Sequence, residues 1–182
     1  MCFKINHKHI VKLRFLVLPI FIVILFACAT FPQKTYEETV AQWNSYKVAD
    51  KWMQYNFRYD FKRVKPSERP GPRTPEETFK LKSGVCFDSA HFLKDVLNRI
   101  DPSYEAKVVI VKVSPFPTFV HDVVCSFKKE GKLFIMMQYG LNNKLTGVNG
   151  PFNSLDEFKN YYQSNSPRTK EGMKVERVIS KE

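Results

Sequence analysis

Three apolar, β-branched runs crowded between Ala106 and Tyr139 limit what this chain can become more than any other feature. Ala106 to Val113, Phe119 to Phe127 and Leu133 to Tyr139 have strand character, and the turn Lys128-Lys129-Glu130-Gly131-Lys132 joins the last two as an antiparallel hairpin. The residues before them are patterned as helices. From Lys34 to about Phe57, Tyr36, Val40, Trp43, Val48, Trp52 and Met53 recur at near-helical spacing, predicting one or two amphipathic helices. Thr74-Pro75-Glu76-Glu77 is a capping box with proline at the first helical position, so a short helix should run from there and stop at Gly84. Immediately beyond, Cys86, Ala90, Leu93, Leu97 and Ile100 share one helical face, and Asp101-Pro102 closes the segment. Ser154-Leu155-Asp156-Glu157 predicts another capping box and a helix to about Tyr162, and Lys174 to Ile179 a last strand. Helices first and an antiparallel sheet afterwards give an α+β domain, helices packed on a small antiparallel sheet.

The first thirty residues are an address. Lys4, Lys8, Lys12 and Arg14 precede an apolar run from Phe15 to Ala29, with no acidic residue before Glu37, the layout of a secretory signal. A run of about fifteen residues is short for a membrane-spanning helix, which needs about twenty. It ends in Leu25-Phe26-Ala27-Cys28, which resembles the lipobox of bacterial lipoproteins, although Phe26 is bulkier than the pattern favours. The expected organisation is a signal peptide over 1–27, a tether over 28–33 beginning at a lipidated Cys28, and a single domain over 34–182. An uncleaved anchor and ordinary cleavage are the alternatives, and all three place the domain outside the cytosol, the first of them on a bacterial membrane in the cell envelope. Burial of each acyl CH₂ contributes about 0.8 kcal/mol, so lipid attachment through several chains would be effectively permanent.

Of 182 residues, 43% are hydrophobic, with 16 Phe, 8 Tyr and 2 Trp, which is ample material for one core and excludes disorder as the main state. No glycine period, sustained heptad or internal repeat is present. The 29 Lys and Arg against 18 Asp and Glu give +11, and removal of four positive charges with residues 1–27 leaves 25 against 18, or +7. The positive residues are scattered, which points to a solvated basic surface and argues against nucleic acid as a partner. Phe61 to Arg73, with Pro66, Pro70, Gly71 and Pro72 among Lys62, Arg63, Lys65, Arg69 and Arg73, is expected to be a basic exposed loop.

The residues after the signal include two histidines, His91 and His121, so the search for a base to serve a nucleophile is short. A cysteine at a helix N-terminus faces unpaired N–H groups and the positive end of the helix dipole, so the Cys86 thiol is expected to ionise more easily than a free one. Such a thiol needs a base within hydrogen-bond reach and a third group to fix the ring. His91 lies five residues along the helix, rotated about 140° from Cys86, and is expected to be exposed. His121, thirty-five residues on, opens a strand in which alternation puts His121, Val123, Cys125 and Phe127 on one side and Asp122, Val124 and Ser126 on the other. Cys125 is either a core residue or a disulfide partner of Cys86. No second Cys/His cluster has metal-ligand spacing, so neither zinc nor any other cofactor is expected.

Gly84-Val85-Cys86-Phe87-Asp88-Ser89-Ala90, preceded by Thr74-Pro75-Glu76-Glu77-Thr78, resembles the glycine-x-cysteine-x-aspartate-x-alanine helix start of the transglutaminase-like superfamily of papain-like cysteine enzymes. His121-Asp122-Val123-Val124 stands where that family's histidine opens a strand, and Leu133 to Gly140 where its next strand ends in the orienting aspartate. The resemblance covers about Trp43 to Tyr162 and implies Cys86 as nucleophile and His121 as base. The third position departs, because Gln138 stands where aspartate is common. A glutamine carbonyl can accept from the imidazole N–H but offers no full charge, and Asn142 and Asn143 are fallback orienters. The resemblance further implies an oxyanion hole from the Cys86 amide and an upstream tryptophan, for which Trp52 is the candidate, with simple core packing as its other reading. At Asp88 it leaves calcium binding, helix capping and an arginine pair all open.

These readings converge on a monomeric, envelope-anchored cysteine hydrolase of the amide bonds of a peptide or protein, with acyl transfer to an amine as a further outcome. The rival is a transglutaminase-like binding module at the membrane surface that kept the scaffold and lost the chemistry.

Overall fold

Two threonines start the helical half of the domain. In the computed structural model, which describes residues 34–64, 71–114, 120–141, 143–170 and 172–181, Thr35 accepts from the Glu38 N–H at 3.2 Å and donates its own N–H to the Glu38 carboxylate at 2.9 Å. Helix α1, Tyr36–Val40, follows from this box. The predicted Thr74–Glu77 box is present with the same distances, 3.2 and 2.9 Å, and opens α3, Pro75–Leu81, which ends on the left-handed Lys82. Between them lies α2, Tyr46–Asn56, so the first helical stretch is two helices.

Strand β1, Arg58–Tyr59, leaves α2 and pairs in parallel with β2, Ser83–Gly84, through Arg58 N–H to Lys82 C=O at 2.9 Å and Asp60 N–H to Gly84 C=O at 2.8 Å. This two-residue stitch ties the end of α2 to the start of α4, Cys86–Ile100, the longest described helix. Its buried face is Ala90, Leu93, Val96 and Leu97 with Phe92 and Ser89 beside it.

The sheet is antiparallel throughout, in the order β6-β5-β4-β3-β7, from β3 Lys107–Ser114, β4 Val120–Lys129, β5 Lys132–Met137, β6 Gly147–Phe152 and β7 Lys174–Lys181. Lys129 pairs with Lys132 across Glu130 and Gly131, both with positive φ, the two-residue hairpin whose twist matches that of the strands. Val108, Ile110, Val123, Cys125 and Phe127 pack toward α2 and α4. Val109, Val111, Val113, Val124, Ile135 and Met137 pack toward α5, Leu155–Asn165, against Phe158 and Tyr162. Burial on both faces explains why these strands are continuously apolar.

Two elements were not foreseen and two expectations are corrected. Strand β6 has no strand signature because it carries Gly147, Asn149, Gly150 and Pro151, residues tolerated where a strand lies at the sheet edge and its register shifts. At Ser154 only half the box forms: Ser154 accepts from the Glu157 N–H, but the Glu157 carboxylate accepts from Asn153. A short helix α6, Pro167–Lys170, occupies what had no signal. The basic segment is not uniformly exposed, since Arg63 and Arg73 are half-buried against α4. Phe119, Asn142 and the whole of 1–33, including Cys28, lie outside the described residues.

Candidate active site

Cys86 is the first residue of α4, and two neighbours fix it there. Asp88 turns back over the helix start and accepts from the Val85 N–H at 2.8 Å, satisfying a donor that has no partner within the helix. The same carboxylate accepts from Arg63 Nε at 3.0 Å and from the Arg73 N–H at 2.7 Å, and it is fully buried. This is possible because residue 84 has no side chain: a Cβ there would lie 2.6 Å from Asp88 Cβ and 2.7 Å from Asp88 Oδ2. The glycine-x-cysteine-x-aspartate spacing is therefore a mechanical unit that sets the backbone at Cys86. Of the alternatives left open for Asp88, capping and arginine pairing are both realised. No group of three or more His, Cys, Asp or Glu able to hold a metal occurs among the described residues.

Around the thiol stand donors. The Tyr59 hydroxyl and the backbone of Val123 and Phe87 lie close enough to Cys86 to favour its thiolate. Burial and then the Asp122 charge oppose them and win, pushing the thiol up from 9.0 to about 11. The resting sulfur is a protonated thiol, the opposite of the direction expected from the helix N-terminus alone, because that expectation left out burial and a neighbouring carboxylate. Tyr59 arrives through β1, and β1 is held from below by the turn after β5. Gly140 has φ +74, and a Cβ on it would meet Tyr59 N at 2.4 Å and Arg58 C at 2.9 Å. Sequence reasoning missed Tyr59, since no spacing rule links a two-residue strand to a cysteine 27 positions later. The cramped Gly140 was the one available hint.

His121 and Asp122 split across the sheet as alternation predicts. His121 pairs with Lys112 of β3 and shares a face with Val123, whose backbone reaches the Cys86 sulfur. Asp122 is buried on the other face, where Oδ2 accepts from Gln138 Nε2 at 2.8 Å and from the Tyr162 hydroxyl at 2.9 Å, and Oδ1 from the Val123 N–H at 3.1 Å. Gln138 has φ +57, which turns its side chain out of the β5 alternation and onto Asp122. Its Oε1, the atom that would hold the His121 ring, is buried with no hydrogen-bond partner.

The other candidates fall elsewhere. Trp52 stacks on Phe79 at 5.2 Å and packs on Phe92 at 5.1 Å and Trp43 at 5.9 Å. Trp52 thus packs in the aromatic core, the other reading its position allowed. Cys86 and Cys125 are both free thiols, and Cys125 is fully buried, with burial raising its pKa well above the ordinary value. His91 is half-buried and stacks on Phe87 at 6.4 Å, its pKa lowered first by burial and then by Lys94. The Asn143 carbonyl accepts from the Leu145 N–H at 2.8 Å, inside its own turn. A groove of about 500 Å³ runs past His91, Lys94 and Arg99, and one of about 260 Å³ past Lys107 and Ser126; Cys86 lines neither.

A family model described as a transglutaminase-like domain matches residues 31–145, well over half the chain, taking in Tyr59, Cys86, His121 and Gln138. No curated protein matches the chain.

Proposed function

The chain belongs to the transglutaminase-like family, and we propose that it is a cysteine hydrolase of amide bonds in a peptide or protein, anchored in the cell envelope through a lipidated Cys28. One observation carries the catalytic part: a cysteine at a helix start on which a tyrosine hydroxyl and the backbone of Val123 and Phe87 converge. Donors arranged in this way stabilise charge that appears only as reaction proceeds, which is where they accelerate it.

Because the resting sulfur is protonated, the mechanism is one of general-base attack rather than a standing thiolate. Sγ attacks the substrate carbonyl carbon as its proton passes to His121. The carbonyl oxygen takes the negative charge against the Cys86 N–H and the Tyr59 hydroxyl, the role expected of Trp52. The C–N bond then breaks as His121 returns the proton to the departing amine. Water, deprotonated by the same imidazole, cleaves the thioester and releases the acid. Water is the acceptor favoured here, since an amine acceptor requires a second pocket.

A specific observation also favours the rival. A thiol pushed up to about 11, with the Gln138 carbonyl engaging no donor, is what a silent site retained in a binding module would look like. Alkylation separates the two. Iodoacetamide rates at Cys86, read by mass spectrometry on the full chain in detergent, should level off above about pH 6.5, the range where histidine deprotonates. In His121→Ala the rate should be slower and rise about tenfold per pH unit, as for an unassisted thiol. If the wild-type chain itself climbs tenfold per unit and His121→Ala matches it, Cys86 is inert and the module reading stands.

A further inference from the structure

We propose that Asp122 is a positioning residue that acts through Gln138, its carboxylate locking the side-chain amide so that Oε1 is left to accept from the imidazole of His121. The inference rests on the hydrolase reading and names what takes over from the missing aspartate at position 138.

The chemistry of the donors fixes the amide. A carboxylate only accepts, so the Gln138 group facing Asp122 Oδ2 at 2.8 Å must be its NH₂, and the flipped amide would set two oxygens against each other. The Tyr162 hydroxyl at 2.9 Å and the Val123 N–H at 3.1 Å hold Asp122 in place, so the carboxylate cannot swing away. Oε1 is thereby turned away from Asp122, and it is buried with no partner among the described residues, an arrangement a protein rarely leaves standing without a use.

The strand ends bring the residues together. The pairing of β4 with β5 runs no further than Cys125 and Met136, and β5 ends at Met137. Gln138 therefore leaves the strand with a left-handed backbone, and its amide meets Asp122, the chain neighbour of His121. A carboxylate on the NH₂ also draws electron density toward the carbonyl oxygen, making it a better acceptor for an imidazolium. Asp122 thus lends its charge at one remove. Catalytic hydrogen bonds commonly close only as the reacting complex forms, which fits an acceptor that is still waiting. Tyr162 lies in α5, beyond the stretch matched by the family model, so the C-terminal part of the chain completes the device.

The test uses the full chain in detergent, with thermal melts to establish that each variant folds. The component of Cys86 alkylation that depends on His121 is measured for Asp122→Asn, Gln138→Leu and the double variant Asp122→Asn/Gln138→Glu. Each single change should lower it at least about tenfold, within the range typical of acid–base assistance. The double variant should recover to within about threefold of wild type, because a carboxylate at position 138 can accept both from an amide at position 122 and from the ring. A role confined to folding predicts that the rate and the melting temperature fall and recover together, whereas a positioning role lowers the rate in variants that melt like wild type. Nitrogen-15 spectra of His121 provide a second measurement on the wild-type chain: one imidazole tautomer is expected, and a mixture overturns the proposal even if no variant folds. A His121-dependent rate that ignores both single changes, or a double variant no better than the singles, overturns this inference alone. A wild-type rate indifferent to His121→Ala overturns the hydrolase reading and this one with it.

Discussion

Replacing Gly84 by alanine should cost about 3–5 kcal/mol, and the reason is a collision with one carboxylate. The added Cβ would sit 2.6 Å from Asp88 Cβ and 2.7 Å from Oδ2, so Asp88 must leave its place. It then abandons the Val85 N–H at 2.8 Å, the Arg73 N–H at 2.7 Å and Arg63 at 3.0 Å. Two orphaned backbone donors cost about 1–3 kcal/mol each, and separating a buried ion pair about 3–5 kcal/mol. The half-buried arginine recovers some hydration, and the losses share one cause, so the expectation lies below their simple sum. For a domain of this size each kcal/mol moves the melting temperature by about 2–4 °C, so a drop of about 10 °C should appear in a thermal melt. Urea unfolding of Gly84→Ala, Asp88→Ala and the double variant makes the reasoning decisive. With the carboxylate already gone the alanine has little left to strike, so the double variant should cost scarcely more than Asp88→Ala alone. Costs that add, or a Gly84→Ala within about 1 kcal/mol of wild type, would refute the account of the glycine-x-cysteine-x-aspartate unit.

Gly140→Ala should destabilise by about 2–4 kcal/mol, since its Cβ would strike Tyr59 N at 2.4 Å on a left-handed backbone. It should also slow Cys86 alkylation as Tyr59 is pushed off the sulfur; a loss of stability with an unchanged rate would remove Tyr59 from the site. The thiol of Cys86 predicts an alkaline weakness. Folding raises its pKa from 9.0 to about 11, so the unfolded chain ionises first, and the stabilising contribution is whole below about pH 9 and fades as pH climbs toward about 11. Between about pH 8 and 10.5 it should remove about 2 kcal/mol that Cys86→Ala does not lose, measured by urea unfolding at the two values. Cys125, buried and with its pKa raised in the same way, should resist iodoacetamide until denaturant is added; labelling of the folded chain there would contradict its burial.

How legible the sequence was depended on whether a feature was local. The capping box at Thr74, the face of α4 and the β4–β5 hairpin are decided within a few residues by side-chain chemistry, periodicity and turn geometry, and they emerged as expected. Strand β6 did not, because Gly147, Asn149 and Pro151 satisfy no strand propensity and the element exists only as a partner for β5. At the site the same division holds. Cys86 and His121 are proposed from a helix start and a strand pattern, whereas Tyr59, which neighbours Cys86 from 27 positions before it, and Tyr162, which holds Asp122 on the far face of the sheet from 76 positions after it, had no local signal. For Trp52, periodicity shows that an aromatic is apolar-facing but not that it will stack on Phe79 and Phe92.

The most informative departure is Gln138. Period-two alternation assigns it to the face of Met136 and His121, and its residue type promises only a neutral acceptor for the ring. A single left-handed dihedral, φ +57, breaks that alternation and brings the amide onto a carboxylate that alternation had correctly sent to the far side of the sheet. Asp122 then acts on the site in two opposed ways. Its charge adds to burial in raising the pKa of the thiol, and the same charge, delivered through the Gln138 amide, would favour an imidazolium at His121. Both effects disfavour a free thiolate before substrate arrives and favour the proton's move to histidine once attack begins. In the oxidising compartment that envelope anchoring would give, the cysteine would gain from the first, since the thiolate is the species that oxidants meet. The enzyme reading therefore does not require a low thiol pKa at rest; it requires a rate that depends on His121, on Asp122 and on the amide between them.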